Sequence, residues 1–225
     1  MKDASAFTSG STQFTAGHSS SSYLPISPSP SLPLSESPTA GTKLAEVFGA
    51  QAALTDLCRP FVVGDFLPEC VVVHPDGIPH PADALLVHHE HMTVVLQKHH
   101  GRPVDVHVLE EHLNGDTYTR KISLTPVGSD KVVEWGIVRL HFQYMSPEVR
   151  DEILAKTMPL GAILIKHNVH RRIKPRYFLR FPEQGQVLKL FSAEQAEPAW
   201  GRLGTIFCDN APCIELLELV VNTNT

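Results

Sequence analysis

The spacing of apolar and polar residues changes along this chain, and each spacing predicts a different element. From Thr42 to about Cys58 the apolar residues recur at helical spacing, and Thr42 is placed to cap the helix. The predicted apolar stripe consists of Leu44, Val47, Phe48, Leu54 and Leu57. A second helix is predicted from about His91, ending before Gly101, which suits the position after a helix. Prolines and glycines interrupt the chain between the two helices, where the one short apolar run is Val71–Val73.

After Gly101 the period changes to two, which is typical of strands with one wet face. Asn114-Gly115 marks a hairpin, whose return strand covers 118–124. A further strand is predicted over 132–144, and a final hairpin over 203–221 turns at an Asp-Asn-Ala-Pro sequence. The last strand is apolar on both faces, which predicts a central position in a sheet.

A proline and a glycine bracket Leu160 in the segment Met158–Ile165. Pro159 disfavours helical geometry in the residue before it, and Gly161 permits a tight turn or the close approach of a ligand. Leu160 and Gly161 can therefore present free backbone N–H groups, which suit a carboxylate. The alternative is a plain helix-to-strand turn, and Ile163–Ile165 is predicted to be a buried strand.

Two charged residues fall on apolar strand faces. Arg120 is in phase with Ile122, so its guanidinium needs an anion, either a structural carboxylate or the carboxylate of a ligand held by both nitrogens of the fork. Glu218 is in phase with Leu216, and burial there would raise its pKa so that it could hold a proton near neutrality. The alternative for Glu218 is a structural ion pair with Arg120 or Arg202.

Composition narrows the function classes. The length of 225 residues allows one large domain or two small ones. Met1–Gly41 is rich in Ser, Thr, Pro and Gly, which predicts a disordered tail, and it lacks the apolar core of a secretion signal. It is Ser-rich and poor in acidic residues, as transit peptides are, but contains no arginine, so plastid or mitochondrial import is the lesser alternative. The net charge of −5 argues against a nucleic-acid groove, and no apolar run is long enough to span a bilayer.

The cysteines and histidines do not form a recognisable metal motif. The four cysteines include no C-x-x-C pair and are interpreted as reduced thiols of a cytoplasmic protein; a Cys208–Cys213 disulfide would need an oxidising compartment. The histidines between 88 and 100 include no H-E-x-x-H, so we expect packed or solvated side chains and no metal. A basic stretch near 170–180 is interpreted as a solvated face, in which Arg171 or Arg172 could still face a ligand.

Six short motifs carry a resemblance to a known family. From about Leu85 to Val221 the chain resembles the chorismate lyases (chorismate pyruvate-lyases, or 4-hydroxybenzoate synthases). The motifs follow the family order and are L-L-x-x-x-x-x-M-T at 85–93, G-R-P-V-D-V at 101–106, Y-T-R-K-I-S-L at 118–124, M-P-L-G-A-I-L at 158–164, W-G-R at 200–202 and I-E-L-L-E-L at 214–219. The resemblance covers about three-fifths of the chain and leaves the tail uncovered.

The resemblance implies a single α+β domain over 42–225, with an antiparallel sheet, helices packed on it and a buried ligand. It implies a cofactor-independent lyase that removes pyruvate from chorismate to leave 4-hydroxybenzoate. In that reading Arg120 grips the ring carboxylate, backbone groups of Met92 and Leu160 contact the same carboxylate, and Glu218 is the catalytic acid. Arg172 falls near a basic position after the P-L-G turn. The expected partner is a small molecule, and the protein is expected to be a cytoplasmic monomer that binds neither membranes nor nucleic acid.

Two alternatives stay open. The segments between the motifs depart from the family pattern, so the substrate could be another chorismate-derived or related aromatic acid. A non-catalytic effector-binding domain can also use this fold, as in certain transcription regulators. Such domains usually follow a winged helix-turn-helix, and residues 1–80 contain no pattern typical of one.

Overall fold

A computed structural model describes residues 44–61, 69–183, 186–191 and 198–221. The predicted tail Met1–Gly41 and the predicted cap Thr42 lie outside the described residues. The helices in these ranges are α1 (Leu44–Cys58), α2 (Ala82–Leu86), α3 (Met92–His100), α4 (Pro147–Ala155) and α5 (Leu160–Lys166). The strands are β1 (Val71–Val73), β2 (Val104–Asn114), β3 (Thr117–Pro126), β4 (Glu134–His141), β5 (Arg171–Phe181), β6 (Ala199–Cys208) and β7 (Ala211–Val221). Short 3₁₀ helices lie at Arg59–Phe61, Pro75–Gly77, Phe142–Tyr144 and Gln186–Phe191.

The described strands form one antiparallel sheet in the order β1-β5-β6-β7-β4-β3-β2. The β2–β3 hairpin turns at Gly115, whose φ of +58° favours glycine. The β6–β7 hairpin turns at Asp209 and Asn210, both with positive φ, as a two-residue hairpin turn requires. Both predicted hairpins are confirmed, and β7 takes the predicted central position.

The sheet is covered on both faces. One apolar core lies between the sheet and helices α2, α3, α4 and α5, and a second lies between the opposite face, α1 and the 3₁₀ helix Gln186–Phe191. The predicted α+β class, an antiparallel sheet with helices packed on it, is confirmed. Among the described residues, no helix has the length and apolar character needed to cross a membrane.

Three predicted elements need correction. Ile163–Ile165 lies inside α5 and is not a strand. A three-residue apolar run has no period of its own, and Pro159 serves as the N-cap of a helix that begins at Leu160. The strand predicted to reach 144 ends at His141 and continues as the 3₁₀ helix Phe142–Tyr144.

The third correction concerns which face of α1 is buried. Leu44 and Phe48, which the sequence pattern placed on the apolar stripe, are exposed. The side of α1 that packs on the sheet carries Ala50, Leu54 and Leu57. The helix itself was predicted correctly as far as Cys58.

Candidate functional site

Arg120 is fully buried on β3, on the sheet face that packs against α2–α5. Its Nη1 donates to the carbonyl of Ile153 at 3.5 Å, a long hydrogen bond. Its Nε and Nη2 have no hydrogen-bond partner among the described residues. Burial lowers the pKa of Arg120, while the neighbouring Tyr118 and the charge of Glu111 raise it. The predicted burial of this arginine on an apolar face is confirmed, and most of its hydrogen-bonding capacity is unused.

Glu111, which is opposite Arg120 in the β2–β3 ladder, already has other hydrogen-bond partners. Tyr118 Oη donates to Glu111 Oε2 at 2.5 Å, and Lys156 Nζ pairs with Glu111 Oε1. The hydrogen bond to Lys156 holds the pKa of Glu111 below its usual range, and burial raises the pKa of Tyr118 to about 12. Glu111 therefore acts on Arg120 by its charge, without a direct ion pair between them in the structure.

The second buried arginine, Arg202 on β6, donates a hydrogen bond from each of its three side-chain nitrogens. Its Nε donates to Glu218 on β7, which is directly opposite in the β-ladder. Nη1 donates to the carbonyls of Leu86 at 3.0 Å and His88 at 3.1 Å, and Nη2 donates to the carbonyl of Glu90 at 3.5 Å. Arg202 therefore ties the segment between α2 and α3 to the sheet. It is also the structural partner that the sequence offered as an alternative for Glu218.

Glu134, the first residue of β4, is the member of this cluster that sequence reasoning missed. It is only 2% exposed, faces the same core and has an Oε2 without a hydrogen-bond partner in the described part of the chain. Burial raises the pKa of Glu134 well above its usual range, and the charge of Glu218 raises it further against the opposing effect of Arg202. The available signal was its phase with Val138 and Leu140, the same kind of signal that identified Arg120.

The two residues predicted to be catalytic lie on one face of the sheet. Arg120 on β3 is opposite Val138 on β4, which is opposite Leu216 on β7, and Glu218 lies two residues further along β7. Two strand spacings separate them laterally, about 10 Å. Both residues are buried on the sheet face that packs against α2–α5.

The predicted backbone donors lie at two helix starts. Met92 is the first residue of α3, and Leu160 is the first residue of α5. Gly161 faces the start of α3, because a Cβ at this position would lie 3.0 Å from His91 Cβ and 3.1 Å from Thr93 Oγ1. This glycine therefore lets the two helix starts approach each other, and the first N–H groups of both helices need acceptors outside the helix.

Arg171 and Arg172 take different positions beside a groove of about 680 Å³. Arg171 Nε donates to His91 Nε2, and its Nη1 donates to the Val169 carbonyl at 3.0 Å. Burial, followed by the charges of Arg171 and Arg202, lowers the pKa of His91 to about 4, so its imidazole is neutral at pH 7 and can accept. Arg172 is exposed and lies over the Phe207 ring, 4.7 Å from its centroid. Its ligand-binding role stays a prediction.

The remaining candidates are the metal-ligating residue types and the cysteines. Within the ranges the structure describes, no three His, Cys, Asp or Glu side chains are grouped so as to hold a metal ion. The cysteines are free thiols, and the thiol of Cys213 donates to the carbonyls of His141 and Tyr144 at 3.9 Å.

No protein-family model matches this sequence, and no curated protein matches it. Among solved structures, the effector domain of PhnF from Mycobacterium smegmatis is 14% identical, with a TM-score of 0.45, over 59% of this chain and 89% of that domain. PhnF itself is 14% identical, with a TM-score of 0.43, over 58% of this chain. The match spans 63% of the PhnF chain, under two-thirds of its length. The ligand-binding domain of a Bordetella bronchiseptica protein assigned to the GntR family of transcriptional regulators is 14% identical, with a TM-score of 0.37, over 54% of this chain and 87% of that domain.

Proposed function

We propose that this domain binds a small organic carboxylate between the sheet and the layer of helices α2–α5, with Arg120 as the carboxylate-binding residue. The proposal rests on one observation: a fully buried guanidinium whose Nε and Nη2 have no partner among the described residues. Nε and one Nη nitrogen of arginine form the fork that holds a carboxylate with two parallel hydrogen bonds. An anionic ligand would supply both the countercharge and the missing acceptors.

With chorismate as ligand, the proposed reaction is elimination of pyruvate to leave 4-hydroxybenzoate. Chorismate is a dianion, so Arg120 and the backbone N–H groups at the starts of α3 and α5 suit its ring carboxylate. Glu218 is the proposed general acid, which donates a proton to the ether oxygen as the bond to the ring breaks. The ring then loses a proton and becomes aromatic, so the reaction consumes no net proton and needs no redox cofactor.

Ligand binding without catalysis is the second candidate, and the ion pair between Glu218 and Arg202 favours it. A carboxylate held by a guanidinium has no proton to donate until that pair is loosened. In this form the domain would sense an aromatic acid and release it unchanged.

Pyruvate release from chorismate in the presence of EDTA distinguishes the two candidates. For a lyase, we expect pyruvate and 4-hydroxybenzoate in equal amounts, at the same rate with and without the chelator. Activity that disappears with EDTA and returns with zinc or magnesium would show that the histidines near 88–100 were misinterpreted. Binding of 4-hydroxybenzoate without any pyruvate release would identify the non-catalytic candidate.

Replacing Arg120 with lysine should weaken ligand binding by about 1–3 kcal/mol, the scale of a charged hydrogen bond. Lysine keeps a positive charge but loses the two-nitrogen fork. Calorimetric titration with 4-hydroxybenzoate measures the change. Arg139→Lys is the matched control, because Arg139 pairs with Asp56 and Glu215 on the opposite face of the sheet. Arg139→Lys should leave affinity unchanged, and equal affinity of all three proteins would remove Arg120 from the ligand site.

A further inference from the structure

Glu134 and Glu218 are two carboxyl groups on one face of the sheet. In the β4–β7 ladder Gly136 is opposite Glu218, and Glu134 lies two residues before Gly136. The two glutamates are therefore diagonal neighbours, about 7–8 Å apart at the backbone. Glu134 Oε1 lies near Gly136, where an added Cβ would be 3.6 Å away from it and 2.9 Å from the carbonyl oxygen of Leu217. The glycine leaves room for the carboxyl group of Glu134 beside β7.

Of these two carboxyl groups, the guanidinium of Arg202 bonds to that of Glu218. Arg202 donates to Glu218 and to the carbonyls of Leu86, His88 and Glu90. None of its described hydrogen bonds goes to Glu134. With both glutamates ionised, a buried site would hold two negative charges against one positive charge.

The other titratable groups near the cluster lie on the segment between α2 and α3. His88 contacts Arg202. Burial, followed by the charges of Arg171 and Arg202, lowers the pKa of His91. Burial and the charge of Arg202 lower the pKa of His88, so neither histidine adds a positive charge at neutral pH. The charge of the cluster therefore depends on Glu134.

We propose that in the ligand-free protein Glu134 is a positioning residue that holds a proton at neutral pH, with Glu218 as the carboxylate paired with Arg202, and thereby keeps the Glu134–Glu218–Arg202 cluster electrically neutral. For Glu218 to act as the acid of a lyase, ligand binding has to bring this proton to Glu218. The consequence for ligands rests on the proposed function: a neutral cluster leaves the charge of Arg120 to attract an anion, whereas an ionised Glu134 repels it. The raised pKa that burial and Glu218 give Glu134 agrees with this assignment. The ligand class that the site takes is then a carboxylate bound best at or below neutral pH.

Infrared spectroscopy of the ligand-free protein tests the proton directly. At pH 7 the parent should show the carbonyl band of a buried carboxylic acid. Glu134→Gln should remove this band, and Glu215→Gln, a variant on the opposite face of β7, should keep it. A parent protein without the band overturns the proposal, whether or not any ligand binds.

The pH dependence of the free energy of unfolding, compared between the parent and Glu134→Gln, gives a second test that needs no ligand. A carboxyl group whose pKa is raised in the folded state stabilises the fold fully below its unfolded pKa, near 4.5, and this stability is lost as pH rises through the folded pKa. Glu134→Gln should remove that loss. Parent and variant curves that run parallel above pH 4.5 would contradict a proton on Glu134.

A third experiment measures the affinity for 4-hydroxybenzoate as a function of pH. Benzoate is the second probe, because it has no phenol group to titrate. Parent affinity for both should fall by up to about tenfold per pH unit above the folded pKa of Glu134. The affinity of Glu134→Gln for both ligands should not change with pH over the same range. The affinity of Glu215→Gln should show the same pH dependence as that of the parent. Identical profiles for parent and Glu134→Gln overturn the role in binding. If neither ligand binds while the infrared band is present, the proposed function fails and the proton on Glu134 is supported.

Discussion

Replacing Arg202 with methionine should lower the free energy of unfolding by about 3–5 kcal/mol, the cost of removing one partner of a buried ion pair. The variant leaves Glu218 as a buried carboxylate beside Glu134, with no guanidinium to balance it. It also removes the donors that tie the segment between α2 and α3 to the sheet. Denaturant titration, with the slope compared between proteins, measures the loss.

The same substitution at Arg120 should not destabilise the fold. Arg120→Met removes a buried guanidinium whose one described hydrogen bond is 3.5 Å long, and methionine fills much of the same volume. We expect stability unchanged or higher by up to a few kcal/mol, because a buried charge without good hydrogen bonds costs more than it contributes. Binding of 4-hydroxybenzoate should be lost. A destabilisation equal to that of Arg202→Met would make Arg120 a structural residue.

The contrast between the two arginines shows what local sequence pattern can and cannot predict. In a strand, alternate residues lie on opposite faces of the sheet, so the sequence shows which residues share a face. Arg120 and Glu218 share their faces with apolar residues, which correctly predicted that both are buried. Choosing between Arg120 and Arg202 as the partner of Glu218 required the register of the β6–β7 hairpin. The predicted hairpin already made the two strands neighbours, but its observed turn is Asp209-Asn210, shorter than the predicted Asp-Asn-Ala-Pro turn, with a register shift after Ile206. This register places Arg202 directly opposite Glu218.

Two other differences between the predicted and the observed structure have local causes. Glu134 stands at the very start of β4, where two valines precede it and the alternation has only just begun, so the period was hardest to read at this position. The start of α5 was misassigned because the segment from Leu160 is apolar at nearly every position, which suits a buried helix as well as a buried strand. Gly161, interpreted as a site of close approach, does approach a neighbour closely, but that neighbour is the start of α3.

Replacing Glu218 with glutamine should lower turnover of chorismate by about 10²–10⁴-fold, the usual contribution of general acid–base catalysis. Glutamine is nearly isosteric and keeps an oxygen that can accept from Arg202, so the variant should fold and still bind 4-hydroxybenzoate. The loss should fall on kcat more than on ligand affinity, because the proton is needed only in the transition state. Steady-state kinetics and calorimetry on the same preparation separate the two effects.

Glu215→Gln is the control, because Glu215 lies on the opposite face of β7 and pairs with Arg139 and His141 away from the proposed site. Its turnover should stay near that of the parent. If Glu218→Gln turns over chorismate as fast as the parent, Glu218 is not the acid, and the ion pair with Arg202 is its whole role. If the parent binds 4-hydroxybenzoate and never releases pyruvate, the ion pair keeps Glu218 charged throughout, and the domain binds aromatic acids without converting them.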